Sequence, residues 1–487
     1  MKPRSYYRQH IEDRQEADGI TRRKFLAAAA GIAPAAVLAK AVPGTAPPSL
    51  AGTAPAGGKL AIDGGTPVRA TMLHVNFSGP NFYDDEERRE LMDVLEARAP
   101  FRDYGMGPDG KAPSKCINFE KEFAAHRGAK YCLGVTSGTA ALIVAVAGLG
   151  VGPGDEVILP AWTWYACYDA IIASGATPVF AEIDESLTLD PADVERKITP
   201  HTKVVMPVHI AGEPADMDAV VVIARRHNLK VLEDSAQSMG VTYKGRAVST
   251  IGDCGIHSFQ ICKTISSGDG GALLTNDPVV FERAVRFHDL GLMRKCFINN
   301  LGHRPQMGMI PGWNFRMNEW TGAVLRAQLR KLDRIVALYR ERGNRVVAGI
   351  RDLPGIQFRK SNDPAGALMD TVYFRVASKA VRDRCLAALA AENIQAGWNL
   401  EGSVILPSEP HIAKKDPPEV NWPSFATPNG TAIRYGHECC PRTTEIRDRY
   451  VGLPMDPKHT DQDVADIIAA VRKVYMSVVK GQPEVIS

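Results

Sequence analysis

The stretch Tyr131-Cys132-Leu133-Gly134-Val135-Thr136-Ser137-Gly138-Thr139-Ala140-Ala141 decides the fold. Its first half reads as a buried strand, its middle as a tight polar turn, and its continuation through residue 149 as an apolar helix. The alternation then repeats. Short apolar runs at 131–136, 156–160, 178–183, 204–209, 230–233, 255–259 and 271–275 predict seven strands. Helical patterns at 140–149, 166–173 and 217–227 lie between them. Repeated strand–helix–strand units predict an α/β fold with a mostly parallel seven-stranded sheet covered on both faces. Ligands of such sheets sit beyond the carboxyl ends of the strands, so the chemistry is expected in the strand-to-helix loops.

Towards the C-terminus the pattern changes after about residue 335. A helix is expected at 322–345, a strand at 371–376 and a helix at 380–391. A last helix starts from Thr460 as N-cap, with Val464, Ile467, Ile468, Val471 and Tyr475 on one face. We read residues 59–339 as a large domain and 340–487 as a smaller α+β domain.

Towards the N-terminus, Thr21-Arg22-Arg23-Lys24-Phe25-Leu26 precedes an Ala-rich apolar run that ends at Ala39-Lys40-Ala41. A positive flank, a short apolar run and a small-residue site predict an export signal over residues 1–41. The paired arginines resemble the twin-arginine signal, which sends folded cargo out of the cytoplasm. This implies transient contact with that export machinery and a periplasmic or extracytoplasmic location. Residues 42–58, rich in Pro, Gly and Ala, read as a linker.

The chain has 487 residues, enough for two domains, with 45% hydrophobic and 23% charged residues. The net charge is +3, and the first 41 residues, with eight basic and four acidic side chains, account for it. The remainder is close to neutral, which argues against a nucleic-acid face. Nine scattered cysteines without a Cys-x-x-Cys pair point to free thiols and to no metal site.

Three loops carry the chemistry. Thr136–Ala141 opens a helix with small residues, and its free N–H groups and positive dipole end make an anion site, although Ser137 also serves as an ordinary cap. Leu232-Glu233-Asp234-Ser235-Ala236-Gln237 ends a strand on a carboxylate. If buried, Asp234 needs a partner, and a pyridinium N–H is one. Ser258-Phe259-Gln260-Ile261-Cys262-Lys263 runs into the turn Gly268-Asp269-Gly270-Gly271. Desolvation of Lys263 is expected to lower its pKa and free an amine for Schiff-base chemistry.

Taken in this order, the motifs resemble those of the DegT/StrS sugar aminotransferases, a family of fold-type I enzymes dependent on pyridoxal 5'-phosphate (PLP). The stretches Gly152–Pro160, Glu233–Gln237 and Gly312-Trp313-Asn314-Phe315-Arg316-Met317 carry the likeness. The opening Ala61-Ile62-Asp63-Gly64-Gly65-Thr66-Pro67 looks most like the glutamine:scyllo-inosose (cyclitol) branch. Asp269 stands where Glu is usual, and Trp164 where Phe is common. The resemblance implies that Lys263 carries the cofactor as a Schiff base and moves protons, and that Asp234 pairs with the ring nitrogen. It places Gln237 near the ring hydroxyl, Trp164 on the ring face, and Gly138, Thr139 and Ser258 on the phosphate. It also implies a homodimer in which Asn314 reaches the neighbouring subunit's cofactor. His209 and His288 fit either a substrate role or a structural one.

The activity implied is transfer of an amino group from glutamate or glutamine to a keto sugar or keto cyclitol. A PLP-dependent dehydratase or lyase acting on a sugar, and an exported non-catalytic binding protein, are the alternatives. The lysine speaks against the sugar 3-dehydratase branch, for which the resemblance predicts His. The segments around residues 101–115 and 297–309 are expected to select the acceptor.

Overall fold

The computed structural model describes residues 58–75, 79–102, 112–397, 404–415 and 423–479. The export-signal reading, and the linker reading apart from Gly58, therefore lie outside the described residues, as does most of the segment 101–115. Thr53–Ser487 form one compact unit.

Its centre is a seven-stranded sheet. In chain order the strands are β1 (Tyr131–Val135), β2 (Glu156–Pro160), β3 (Thr177–Ala181), β4 (Thr202–Val205), β5 (Lys230–Asp234), β6 (Cys254–Ser258) and β7 (Gly271–Thr275). Across the sheet they run β1-β7-β6-β5-β4-β2-β3. The pairings from β6 through β3 are parallel, and β7 is antiparallel to both neighbours. The reversal has a local cause. Between β6 and β7 the chain runs through a turn-rich loop without a helix, and only a crossover connection brings a strand back parallel. All five residues of β1, β2, β6 and β7 are buried, as expected for strands covered on both faces.

The apolar helix α1 (Gly138–Gly148) follows β1, with Ser137 as N-cap accepting the Ala140 N–H at 3.0 Å. Helix α2 (Tyr165–Ala173) follows β2 and starts at Trp164. The long α3 (Glu319–Ile350) exceeds the expected 322–345 at both ends and crosses the 339/340 boundary at which the sequence pattern changes. Beyond it a three-stranded antiparallel sheet joins Gln357–Phe358, Thr371–Arg375 and Tyr450–Pro454. The last helix, α4 (Asp461–Val478), has Thr460 as N-cap in a capping box with Asp463. It buries Val464, Ile467, Val471 and Tyr475, leaving Ile468 partly exposed. Among the described residues no helix is long and apolar enough to cross a membrane.

Candidate active site

Five strand ends converge on one cavity of about 260 Å³. After β1 come Ser137, Gly138 and Thr139; after β2, Thr163 and Trp164; after β4, Val208 and Ala211; from β5, Asp234 and Gln237; from β6, Ser258 and Lys263. Asp269, and Tyr339 and Asp370 from far along the chain, also line it. The carboxyl-end rule therefore places the site, and every predicted site residue except Asn314 is on its wall.

Ser258 and Gly138 meet across the first corner. A Cβ built on Gly138 would lie 2.7 Å from the Ser258 Cβ, so only glycine lets the N-terminus of α1 approach the end of β6 this closely. The result is a concave surface of backbone N–H groups with hydroxyls at Ser137, Thr139 and Ser258, suited to an anion.

Asp234 is buried. Its Oδ1 accepts the Ala236 N–H at 2.9 Å, and its Oδ2 accepts the Cys167 thiol at 3.0 Å. Burial first, and then the charge of Asp234, push the Cys167 thiol well above its ordinary 9.0, so it remains a neutral donor. An ionised carboxylate offers about four acceptor positions, so these two donors leave capacity for another. Trp164 is 42% exposed and leaves much of its indole open, while Gln237 is fixed by accepting the Ala211 N–H at 3.3 Å.

Lys263 follows a loop anchored in the core. Phe259 is fully buried in edge contact with Phe119 and Phe123, at 5.4 and 5.7 Å between ring centres. From that anchor the chain turns, with the Lys263 N–H on the Gln260 carbonyl at 2.9 Å. Gly79, at φ 70°, packs its Cα against the Ile261 carbonyl, where a Cβ would come within 2.6 Å. Burial holds the Lys263 amine below its ordinary 10.5, against the opposing charges of Asp234 and, more weakly, Asp370. A desolvated amine between carboxylates is equipped to act as a nucleophile and to exchange protons.

The two histidines are structural. His209 is fully buried, receives the Ala215 N–H on Nδ1 at 3.0 Å and so presents Nε2–H to Glu233 at 3.0 Å. His288 donates from Nδ1 to the Val285 carbonyl, and burial lowers its pKa to about 3. Neither lines the cavity. Asn314 is exposed and outside this chain's cavity, and its chain neighbours Trp313 and Phe315 stack their rings on each other at 6.1 Å. All nine cysteines are free, and among the described residues no cluster could hold a metal ion.

Sequence reasoning missed Cys167, Tyr339 and Asp370. Cys167 sits on the inward face of α2, three residues after Trp164, and that helical spacing was the available signal. Asp370 stands immediately before the strand Thr371–Arg375, an isolated carboxylate in an apolar run.

Comparison with known proteins gives the same picture. Residues 111–401 match the DegT/DnrJ/EryC1/StrS aminotransferase family. The spore coat polysaccharide biosynthesis protein SpsC of Bacillus subtilis is 34% identical over 80% of this chain and 94% of its own length. The L-glutamine:2-deoxy-scyllo-inosose aminotransferase of Streptomyces kanamyceticus is 36% identical over 66% of this chain and 73% of its own. The crystal structure of S. venezuelae DesV in complex with a ketimine intermediate superposes with a TM-score of 0.63 at 31% identity, covering 80% of this chain and 94% of that one. With the fold of the fold-type I enzymes and the lysine–aspartate pair at its strand ends, the chain belongs to the DegT/DnrJ/EryC1/StrS family and is an aminotransferase.

Proposed function

We propose that this aminotransferase uses PLP to move an amino group from glutamate or glutamine to a keto sugar or keto cyclitol. The observation that carries the reading is the joint placement of Lys263, Asp234 and the Gly138–Ser258 corner around one cavity. The residues fit the cofactor. A helix N-terminus with hydroxyls suits a phosphate, and Gly138, Thr139 and Ser258 would hold it. Asp234, with acceptor capacity to spare, suits a protonated ring nitrogen. Gln237 suits the ring hydroxyl, the open face of Trp164 suits a flat ring, and Lys263 suits a covalent link to an aldehyde. When bound, PLP supplies an electron sink for the carbanion at the donor's α-carbon.

The chain's own part is positional and protonic. Nζ of Lys263 would hold the cofactor's aldehyde carbon and, as a free amine, would accept the proton at the donor's Cα. Cys167 and Ala236 fix the Asp234 carboxylate, so its charge stays aimed at one point in the cavity. The acceptor class is read from the relatives named for inosose and for spore coat polysaccharide.

A homodimer belongs to the same proposal. Asn314 lies on an exposed apolar surface with Trp313 (63% exposed) and Leu290 (52%), a surface suited to a second copy. In that arrangement Asn314 serves the partner's cavity. Export after folding, through the twin-arginine motif, is also part of the proposal, because cargo exported folded carries a covalently held cofactor with it.

The test is the visible spectrum of the purified protein before and after L-glutamate or L-glutamine. A yellow band that bleaches with either donor supports the reading. A yellow protein indifferent to both contradicts the donor, and a protein that takes up no PLP contradicts the cofactor.

A further inference from the structure

Asp370 is presented to the cavity by a corner built for it. Met369, immediately before it, is held at φ 64°, a left-handed conformation costly for a side chain of this size. Gly343 of α3 makes room for that corner, since a Cβ there would lie 2.7 Å from both the Cβ and the carbonyl of Met369. One helical turn earlier on α3, Tyr339 joins Asp370 in the cavity wall. From the other direction Gly212, at φ 68°, brings its Cα against the carboxyl group, and a Cβ would stand 2.6 Å from Oδ1. The Met455 N–H holds the Asp370 carbonyl at 2.7 Å. After all this, the buried Oδ1 has no hydrogen-bond partner among the described residues. A buried acceptor held on such a corner and left without a donor is a mark of function rather than packing.

Two cations act on this carboxylate, Arg359 and Lys263, and of the two it is Lys263 that lines the same cavity. We propose that Asp370 is a positioning residue for Lys263: its carboxylate receives the Nζ ammonium when the lysine is released and favours the protonated nitrogen when it is not. Asp234 is then the carboxylate at one end of the lysine's travel and Asp370 at the other. The proposal rests on Lys263 as the cofactor-bearing residue.

The charges around the pair are identifiable. Asp234, Cys262, Asp370 and Cys167 act on Lys263. Burial raises the Asp370 pKa from 3.8 to about 6, against Arg359, the backbone N–H groups of Thr371 and Asp370 itself, and Lys263, which favour the ionised form. The Tyr339 and Tyr373 phenols are held neutral, well above 10.0, chiefly by burial. Above pH about 6 Asp370 is charged and stabilises a protonated lysine nitrogen; below it that support is lost.

The test is a pH titration of the visible band of the PLP-loaded enzyme, wild type against D370N and D370E. Removing a facing charge should lower the midpoint of D370N by about one pH unit, and D370E should recover most of it. An unchanged midpoint in D370N overturns the proposal. If D370N does not fold, the wild-type curve decides alone: a second inflection near the Asp370 titration supports the coupling, and a single-site curve contradicts it. Borohydride reduction and peptide mass mapping of each sample separates the two claims. Cofactor on Lys263 with an unmoved midpoint overturns only the role of Asp370, whereas cofactor absent from Lys263 overturns the reading on which it rests.

Discussion

Two of the three carboxylates that line the cavity, Asp234 and Asp370, are built in opposite ways. Asp234 lies at the end of a central strand and is bonded on both oxygens, by a backbone N–H and by a thiol kept neutral. Asp370 lies on a corner made by residues 339–370 and 212, with one oxygen left open. A carboxylate with fixed donors keeps its charge in one place and suits a partner that stays. One with an open acceptor and a pKa near 6 suits a group that arrives and departs. The contrast teaches that burial does not by itself assign a role to an acid; the donors already present do.

Substitutions can break or sharpen this contrast. Lys263→Ala removes the group that both carboxylates face, and steady-state transamination should fall by roughly 10³-fold or more; retained activity would sink the assignment. Asp234→Asn keeps the shape and the Ala236 contact but deletes the charge, with an expected loss in kcat on the order of 10²-fold. A loss of that size in D370N and none in D234N would invert the roles of the two acids. Gly138→Ala drives a methyl into Ser258 at the anion corner. Overpacking of that kind costs about 1–3 kcal/mol, so PLP affinity measured by fluorescence titration should weaken by roughly 5- to 150-fold. The smallest effect is expected from Cys167→Ala, which removes one of the donors of Asp234. A loss of about 1 kcal/mol in stability by urea unfolding is expected, because the Ala236 N–H remains.

The strand-end wall was legible in the sequence because its parts are local. Ser137 caps the helix that follows its own strand, Asp234 closes its own strand, and Lys263 follows Phe259 within one loop. Apolar runs and turn residues mark each of these at short range, and the seven strands fall close to their expected places. The corner bearing Asp370 was not legible. It exists because Gly343 packs against Met369 and Gly212 against Asp370, and single-sequence patterns carry no signal for contacts between residues this far apart in the chain. The reversal of β7 lies between these cases. The Gly-rich turn after Lys263 was visible, but the absence of a crossover helix has to be weighed against the α/β alternation to see that the strand must run back. His209 shows the converse, since its partners Glu233 and Ala215 become evident only when the chain has folded.

The most direct test of the central claim is to load the purified enzyme with PLP, reduce it with borohydride, digest it and locate the cofactor by mass spectrometry. The account predicts a single pyridoxyl adduct on the peptide containing Lys263, formed in wild type and absent in K263A. An adduct on another lysine, or one that persists in K263A, would contradict it.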